Sequence, residues 1–280
     1  MRASNILERL GELPSLPSVY HRAREAMDDP HGSLEVVARI IEADPALTVR
    51  VLRVANSALY GLPARVDSVL RALTVIGTAE TRNLILATSI ISVFQDLPLG
   101  AVSMRSFWEH SIACGIAARA IARRTGLQET EHYYLAGLLH DIGRLPLFIL
   151  EPHAMSAILL AHRDRKGHLW ELEQPLFGAT HALIGAALLE RWDIPAMYCS
   201  AAALHHGAPA DHSWPAEAAV THIADLIVNS LRIGTGGTRY APWLNETAWL
   251  NTGLAVEDLP AISEVTIFAT RDIVSAFLEH

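Results

Sequence analysis

The chain has 280 residues, 51% hydrophobic and 19% charged, with 30 acidic against 22 basic side chains and a formal net charge of −8. That mixture is too apolar for a disordered or fibrous chain, and its length allows one large domain or two smaller lobes. The acidic balance, with Lys166 as the sole lysine and no basic stripe, excludes a protein that tracks along nucleic acid phosphates. Cys114 and Cys199 sit in apolar, helical-looking sequence. Two such residues make no disulfide framework, and they point to a reducing compartment. The opening Met1 to Leu10 carries Asn5, Glu8 and Arg9, where a signal peptide needs an unbroken apolar stretch. The longest mostly apolar run, Leu84 to Phe94, falls well short of the roughly 20 residues that cross a bilayer. The expectation is a cytoplasmic protein with no membrane span.

Taken in chain order, apolar periodicity near 3.6 and helix punctuation predict helices over 4–11, 18–28, 33–43, 45–57, 66–76, 79–95, 103–125, 131–142, 152–166, 180–192, 195–206, 215–232, 241–251 and 258–278. No alternating strand of convincing length is present, so the fold class is all-α. Ser33, Thr78, Ser103 and Thr130 read as N-caps. Pro45, Pro195 and Pro215 fit first helical turns, where a missing N–H costs nothing. Gly61, Gly77, Gly126 and Gly207 fit helix ends. The connection Leu97-Pro98-Leu99-Gly100 is the best lobe boundary, which gives an N-terminal helical lobe over 1–98, a second helical lobe over 99–232, and C-terminal helices over 233–280 that pack back on the domain. Gly234-Thr235-Gly236-Gly237-Thr238 is the most loop-like stretch and is expected to be mobile.

Fourteen histidines are the compositional oddity. His110 lies early in a long apolar helix, and His140-Asp141 ends the apolar run Leu135 to Leu139. His181 opens a helix, His205-His206 closes the next before Gly207, and Asp225 sits inside a later one. Taken singly, each histidine reads equally as a core residue with a satisfied hydrogen bond. A carboxylate at the end of an apolar run is costly unless something positive meets it. Adjacent helical residues point about 100° apart, so His140 and Asp141 share a target only in a groove between helices. A divalent cation meets both demands: imidazole and carboxylate together suit iron, manganese, zinc or nickel, and bundle sites draw their ligands from separate helices. Cys114, one turn after His110, reads as a small packing residue. His222, one turn before Asp225, either orients a ligand or belongs to the core. Trp108, Trp170, Trp192 and Trp214 read as packing between helices.

The order histidine, His-Asp doublet, histidine, His-His doublet, aspartate resembles the HD superfamily of metal-dependent phosphohydrolases. Within it, Leu13-Pro14-Ser15-Leu16-Pro17, Leu52 to Gly61 with its Asn56-Ser57-Ala58-Leu59-Tyr60-Gly61 core, Arg71 to Gly77, Gly137 to Arg144 and Glu190 to Pro195 are similar to the HDOD family. The likeness covers roughly residues 10–230. It implies an all-α, two-lobe fold and a regulatory module of bacterial signalling that acts through protein contacts. Its partners would be signalling proteins such as a receiver domain, with a nucleotide as a further candidate ligand. Hydrolase activity is not generally established for the family.

Related HD-GYP proteins hydrolyse cyclic di-GMP. Their ligand pattern carries over onto His110, His140, Asp141, His181, His205, His206 and Asp225. The chain departs from them where Gly207-Ala208-Pro209 follows the doublet, and where Arg144 replaces a lysine, so substrate recognition is the point of divergence. Hydrolysis of a phosphate ester needs an activated water, a second charge to hold the phosphate and an open coordination position. Arg144, four residues after His140, is the candidate phosphate-binding residue, or else it pairs with a surface carboxylate. The alternative reading is therefore a metal-dependent phosphohydrolase or cyclic-dinucleotide phosphodiesterase.

Overall fold

The computed structural model describes residues 6–94, 102–163, 167–207, 214–238 and 240–278. Among them there is no strand. The helices are α1 (Ile6–Arg9), α2 (Ser18–Asp28), α3 (Leu34–Glu42), α4 (Pro45–Ala55), α5 (Val69–Ile76), α6 (Thr78–Phe94), α7 (Met104–Arg124), α8 (Thr130–Leu139), α9 (Arg144–Leu150), α10 (Pro152–Arg163), α11 (Leu169–Phe177), α12 (His181–Arg191), α13 (Ala196–Leu204), α14 (Ala216–Leu231), α15 (Glu246–Thr252) and α16 (Leu259–Leu278). The chain divides into two compact units. One comprises Met1–Pro14 with Leu97–Ile267, and the other Ser15–Asp96 with Phe268–His280. Neither is a continuous stretch, and α16 contributes to both. The expected boundary Leu97 to Gly100 lies outside the described residues, as do Ala208, Pro209, Lys166, His212 and His280.

The Ser15–Asp96 unit is organised around α6, in which every residue from Asn83 to Ile91 is buried. A helix buried on all sides must satisfy its polar groups internally. Accordingly, the Thr88 hydroxyl donates to the Leu84 carbonyl at 2.5 Å and the Thr81 hydroxyl to that of Gly77 at 2.7 Å. Asn56 caps the C-terminus of α4 and does more. Its amide donates to the Leu52 and Val66 carbonyls and accepts from the Val66 N–H, each at 2.8 Å, which pins the connection to α5 against a small core of Ala55, Val66 and Ala72.

In the Leu97–Ile267 unit, α7 crosses α8 with small residues in contact. A Cβ on Gly137 would lie 2.5 Å from the Cys114 carbonyl oxygen, so only glycine lets the two backbones approach this closely. α14 packs on the same side of α7, through Ala113, Cys114, Ala117, Ile121, Ala224 and Val228. Three helices carrying polar residues are thereby held within side-chain reach of one another.

Several local expectations need correction. The helix predicted over 131–142 stops at Leu139, and the chain turns through His140 to Gly143 before α9 begins. The turn is forced by packing, because a Cβ on Gly143 would sit 1.9 Å from the His181 carbonyl oxygen at the start of α12. Helices α9 and α11 were not foreseen; each is short, and each carries a proline that blurs its periodicity. Thr78 and Thr130 are first helical residues rather than caps, while Pro195 and Pro215 occupy the cap position. Ser103 does cap α7, accepting the Ser106 N–H at 3.0 Å. Among the described residues, no single helix is long and apolar enough to cross a membrane. Thr130–Leu150 and Pro152–His162 reach that length only as a pair bent by 118°.

Candidate metal centre

All seven residues picked out by the sequence pattern converge. His110 projects from the second turn of α7, and His140 and Asp141 lie in the turn that ends α8. His181 is the first residue of α12, His205 and His206 follow α13, and Asp225 lies in α14. The two ends of the Asp141 carboxylate face different partners. Its Oδ2 lies 3.9 Å from His110 Nε2 and 3.7 Å from His140 Nε2. Its Oδ1 lies 3.1 Å from His181 Nε2 and 3.7 Å from His205 Nε2. The donors thus form two groups, His110, Cys114, His140 and Asp225 on one side and Asp141, His181, His205 and His206 on the other. Within each group all donor atoms lie within 4.8 Å of one another.

The histidine tautomers are set by partners on the far side of each ring. His140 Nδ1–H donates to the Gly137 carbonyl and His205 Nδ1–H to the Ala202 carbonyl, both at 2.7 Å. His181 Nδ1–H donates to Glu173 Oε2 at 2.6 Å, and the His181 backbone N–H reaches the same oxygen at 2.7 Å. Each imidazole therefore turns its Nε2 inward, the arrangement of a metal ligand oriented by an outer partner. His222 braces the backbone rather than a ring, since its Nδ1–H donates to the His205 carbonyl at 2.8 Å and its Nε2 accepts the Asn245 N–H at 3.2 Å. Asn229, one turn after Asp225 on α14, donates to Asp225 Oδ1 at 2.6 Å.

The donor set fits a cation on two observations. His140 Nε2 is buried at the centre of the cluster with no hydrogen-bond partner, which is costly for a lone pair unless something positive faces it. The electrostatics agree. Burial pushes Asp141 up, but Arg144, His140 and His181 outweigh it and hold the carboxyl well below its ordinary range. Asp225 is likewise pushed up by burial and then carried well down by His110 and His140. His140 is lowered by burial yet ends above its ordinary value because Asp141 and Asp225 attract its proton. Burial and Arg144 lower His181, and Glu173 and Asp141 more than reverse them. His205, where burial prevails, falls to about 4. Without a cation, protons on His140 and His181 supply the charge that the two aspartates demand.

Arg144 is not on the same helix as His140, and it is not a surface residue. It opens α9, is 2% exposed, and places Nε 2.9 Å from Asp141 Oδ2 and Nη1 3.2 Å from the Gly236 carbonyl oxygen. The Gly234–Thr238 segment, expected to be free, is docked here. The Thr235 N–H donates to the Ser106 carbonyl at 3.0 Å, and a Cβ on Gly236 would lie 2.8 Å from Asp141 Oδ2. Trp108 is fully buried, as packing between helices requires, whereas Trp170 is half-buried beside His206. His206 is the only partly exposed donor of the two groups. The Trp170 ring stacks on it at 5.8 Å between centroids, His168 stacks on Trp170 at 5.8 Å, and Trp243, 78% exposed, meets His168 edge-on at 5.9 Å.

Glu173 and Asn229 were missed by sequence reasoning. Asn229 sits four residues after Asp225, a spacing that could have signalled it. Glu173 carried no signal, because α11 itself was not foreseen.

Comparison with known proteins matches the HDOD domain over residues 13–208, more than half of the chain. A solved HDOD domain protein of unknown function from Geobacter sulfurreducens is 26% identical, with a TM-score of 0.79 over 98% of this chain and 96% of that one. A Shewanella amazonensis SB2B protein, provisionally named a metal-dependent phosphohydrolase, is 23% identical, with a TM-score of 0.68 over 97% of this chain and 96% of that one. A Marinobacter aquaeolei VT8 protein, provisionally named a signal transduction protein, is 22% identical, with a TM-score of 0.72 over 97% of this chain and 60% of that one. The last two likenesses concern the fold. A protein of Treponema pallidum (strain Nichols) is 26% identical over 208 residues, which make up 74% of this chain and 40% of that protein. The chain thus spans well under half the length of that curated relative.

Proposed function

We infer that this chain, which belongs to the HDOD domain family, is a bacterial signalling module that works through protein contacts and carries a two-cation centre in its Leu97–Ile267 unit. The observation that carries the reading is the Asp141 carboxylate, whose two oxygens face separate sets of buried donors. His110, His140 and Asp225 would hold one divalent ion and His181, His205 and His206 the other, with Asp141 shared between them. Iron, manganese, zinc and nickel all accept this mixture of imidazole and carboxylate. Such ions supply Lewis acidity and, in a closed site, folding energy.

A regulatory role is favoured over turnover by the state of Arg144. The guanidinium that could grip a phosphate is buried, with its Nε beside Asp141 and its Nη1 donating to the Gly236 carbonyl. The greater length of the curated relative is consistent with such modules working beside other domains, a receiver domain among them. Free thiols at Cys114 and Cys199 suit a cytoplasmic setting.

The second reading is a phosphohydrolase acting on a nucleotide, and one observation favours it. The partly exposed His206 lies against Trp170, which stacks in turn on His168 beside the exposed Trp243, so a planar base could reach the centre along these rings. Metal analysis of the purified chain, followed by turnover assays on cyclic dinucleotides and nucleotide phosphates, decides between the two. About two ions per chain without turnover supports the signalling module. Metal-dependent cleavage would replace it with the hydrolase, and a chain that binds no divalent ion would overturn both.

A further inference from the structure

We propose that Cys114 is a metal ligand at the first cation position, added to His110, His140, Asp225 and the shared Asp141. This rests on the metal-centre reading above and makes it more specific. His110 and Cys114 are four residues apart on α7, hence on one face of that helix, and both are fully or nearly fully buried. The sulfur is not simply filling space between helices. Its polar neighbours are His110 Nε2 at 3.6 Å and Asp225 Oδ1 at 3.9 Å, both inward-facing donor atoms.

The distances fit one ion at the centre. Donor atoms held by one five-coordinate ion, at about 2.0–2.1 Å for nitrogen or oxygen and about 2.3 Å for sulfur, lie roughly 2.9–3.8 Å apart where they are neighbours. Four of the separations are 3.1 Å from His110 to Asp225, 3.6 Å from His140 to Asp225, 3.6 Å from Cys114 to His110 and 3.9 Å from Cys114 to Asp225, and all donor atoms of the group lie within 4.8 Å of one another. An ion there needs only small adjustments of side chains already in place.

Two consequences follow for the chemistry. A thiolate donor selects zinc, iron or cobalt over magnesium, calcium or manganese. With the thiolate added to His110, His140, Asp225 and the shared Asp141, the first position has five protein ligands and no open coordination position for a substrate. Any substrate chemistry would then be confined to the second position, where His206 is partly exposed.

The test is cobalt substitution of the full-length chain, read by absorption. Two bound cobalt ions with a near-ultraviolet thiolate-to-cobalt charge-transfer band are expected. The band should vanish in Cys114→Ser and persist in Cys199→Ser. In Cys114→Ser, zinc retention against a chelator should weaken at one position by at least about tenfold. Two bound cobalt ions without the band in the unmutated chain would overturn the proposal while leaving the two-cation centre intact. A band that survives in Cys114→Ser would overturn it equally. Failure to bind cobalt at all would sink the centre and the proposal together. The decisive spectrum is that of the unmutated protein, so it does not depend on how well the variants fold.

Discussion

The two units of the chain use their interiors in opposite ways. In the Ser15–Asp96 unit, the buried polar groups on and beside α6 are mostly hydroxyls and an amide, and Thr81, Thr88 and Ser57 each donate to a backbone carbonyl three or four residues earlier. In the Leu97–Ile267 unit, buried His110, His140, His181, His205, Asp141, Asp225, Glu173 and Arg144 meet in one place. The first interior closes such polar groups with local hydrogen bonds. The second is complete only with protons or a cation in it, so its stability depends on what the solution contains.

That contrast can be broken most severely at the shared carboxylate. Asp141→Ala should abolish binding at both cation positions and leave Arg144 buried and unpaired, a loss of about 3–5 kcal/mol typical of breaking a buried ion pair. Metal content and urea unfolding measure the two effects, and retention of both ions would show that Asp141 is not shared. Chelation of the unmutated chain comes next. Removing an ion held at 1,000 times its dissociation constant should cost about 4 kcal/mol, seen as a lower melting temperature that added zinc restores. Ile41→Val, in the core of the other unit, should cost only about 0.5–1.5 kcal/mol, and by the same amount with or without chelator. A metal-dependent cost there would dissolve the contrast.

The pH dependence sharpens the comparison further, with the smallest effect. His140 and His181 have raised values in the metal-free fold. Their contribution is therefore fully present below the unfolded value of about 6.5 and is lost as pH rises through the folded values. His205, lowered to about 4, acts in the other direction and costs stability as pH falls from about 6.5 towards 4. Metal-free protein should accordingly lose stability on going from neutral to mildly alkaline pH. Metal-loaded protein should hold or gain, because bound ions require deprotonated imidazoles. Calorimetry at several pH values, with and without chelator, checks the reversal of sign.

The sequence made the helices and the donor list legible for a common reason: both are written in local spacing. The 3.6 periodicity placed α2, α4 and α14 to within a residue or two, and the His-Asp and His-His doublets marked helix ends that do meet in space. What could not be read depends on contacts distant in sequence. Glu173 becomes the partner of His181 only because α11 comes to rest beside the first turn of α12. The turn after His140 follows from the close approach of Gly143 to α12, a demand imposed by another helix rather than by its own neighbours. The spacing of Arg144 from His140 marks it as a phosphate ligand or the partner of a surface carboxylate, and tertiary packing buries it beside the Asp141 carboxylate and the Gly236 carbonyl.

The docked Gly234–Thr238 segment has a practical consequence. It offers little side chain of its own, yet its backbone touches Arg144 through Gly236 and the α7 backbone through Thr235. Charge gained or lost by Asp141 is felt first by Arg144, and then by whatever the guanidinium holds. Amide exchange at Gly236 and Gly237 should therefore serve as a natural gauge of occupancy, readable without a chromophore and without altering any ligand.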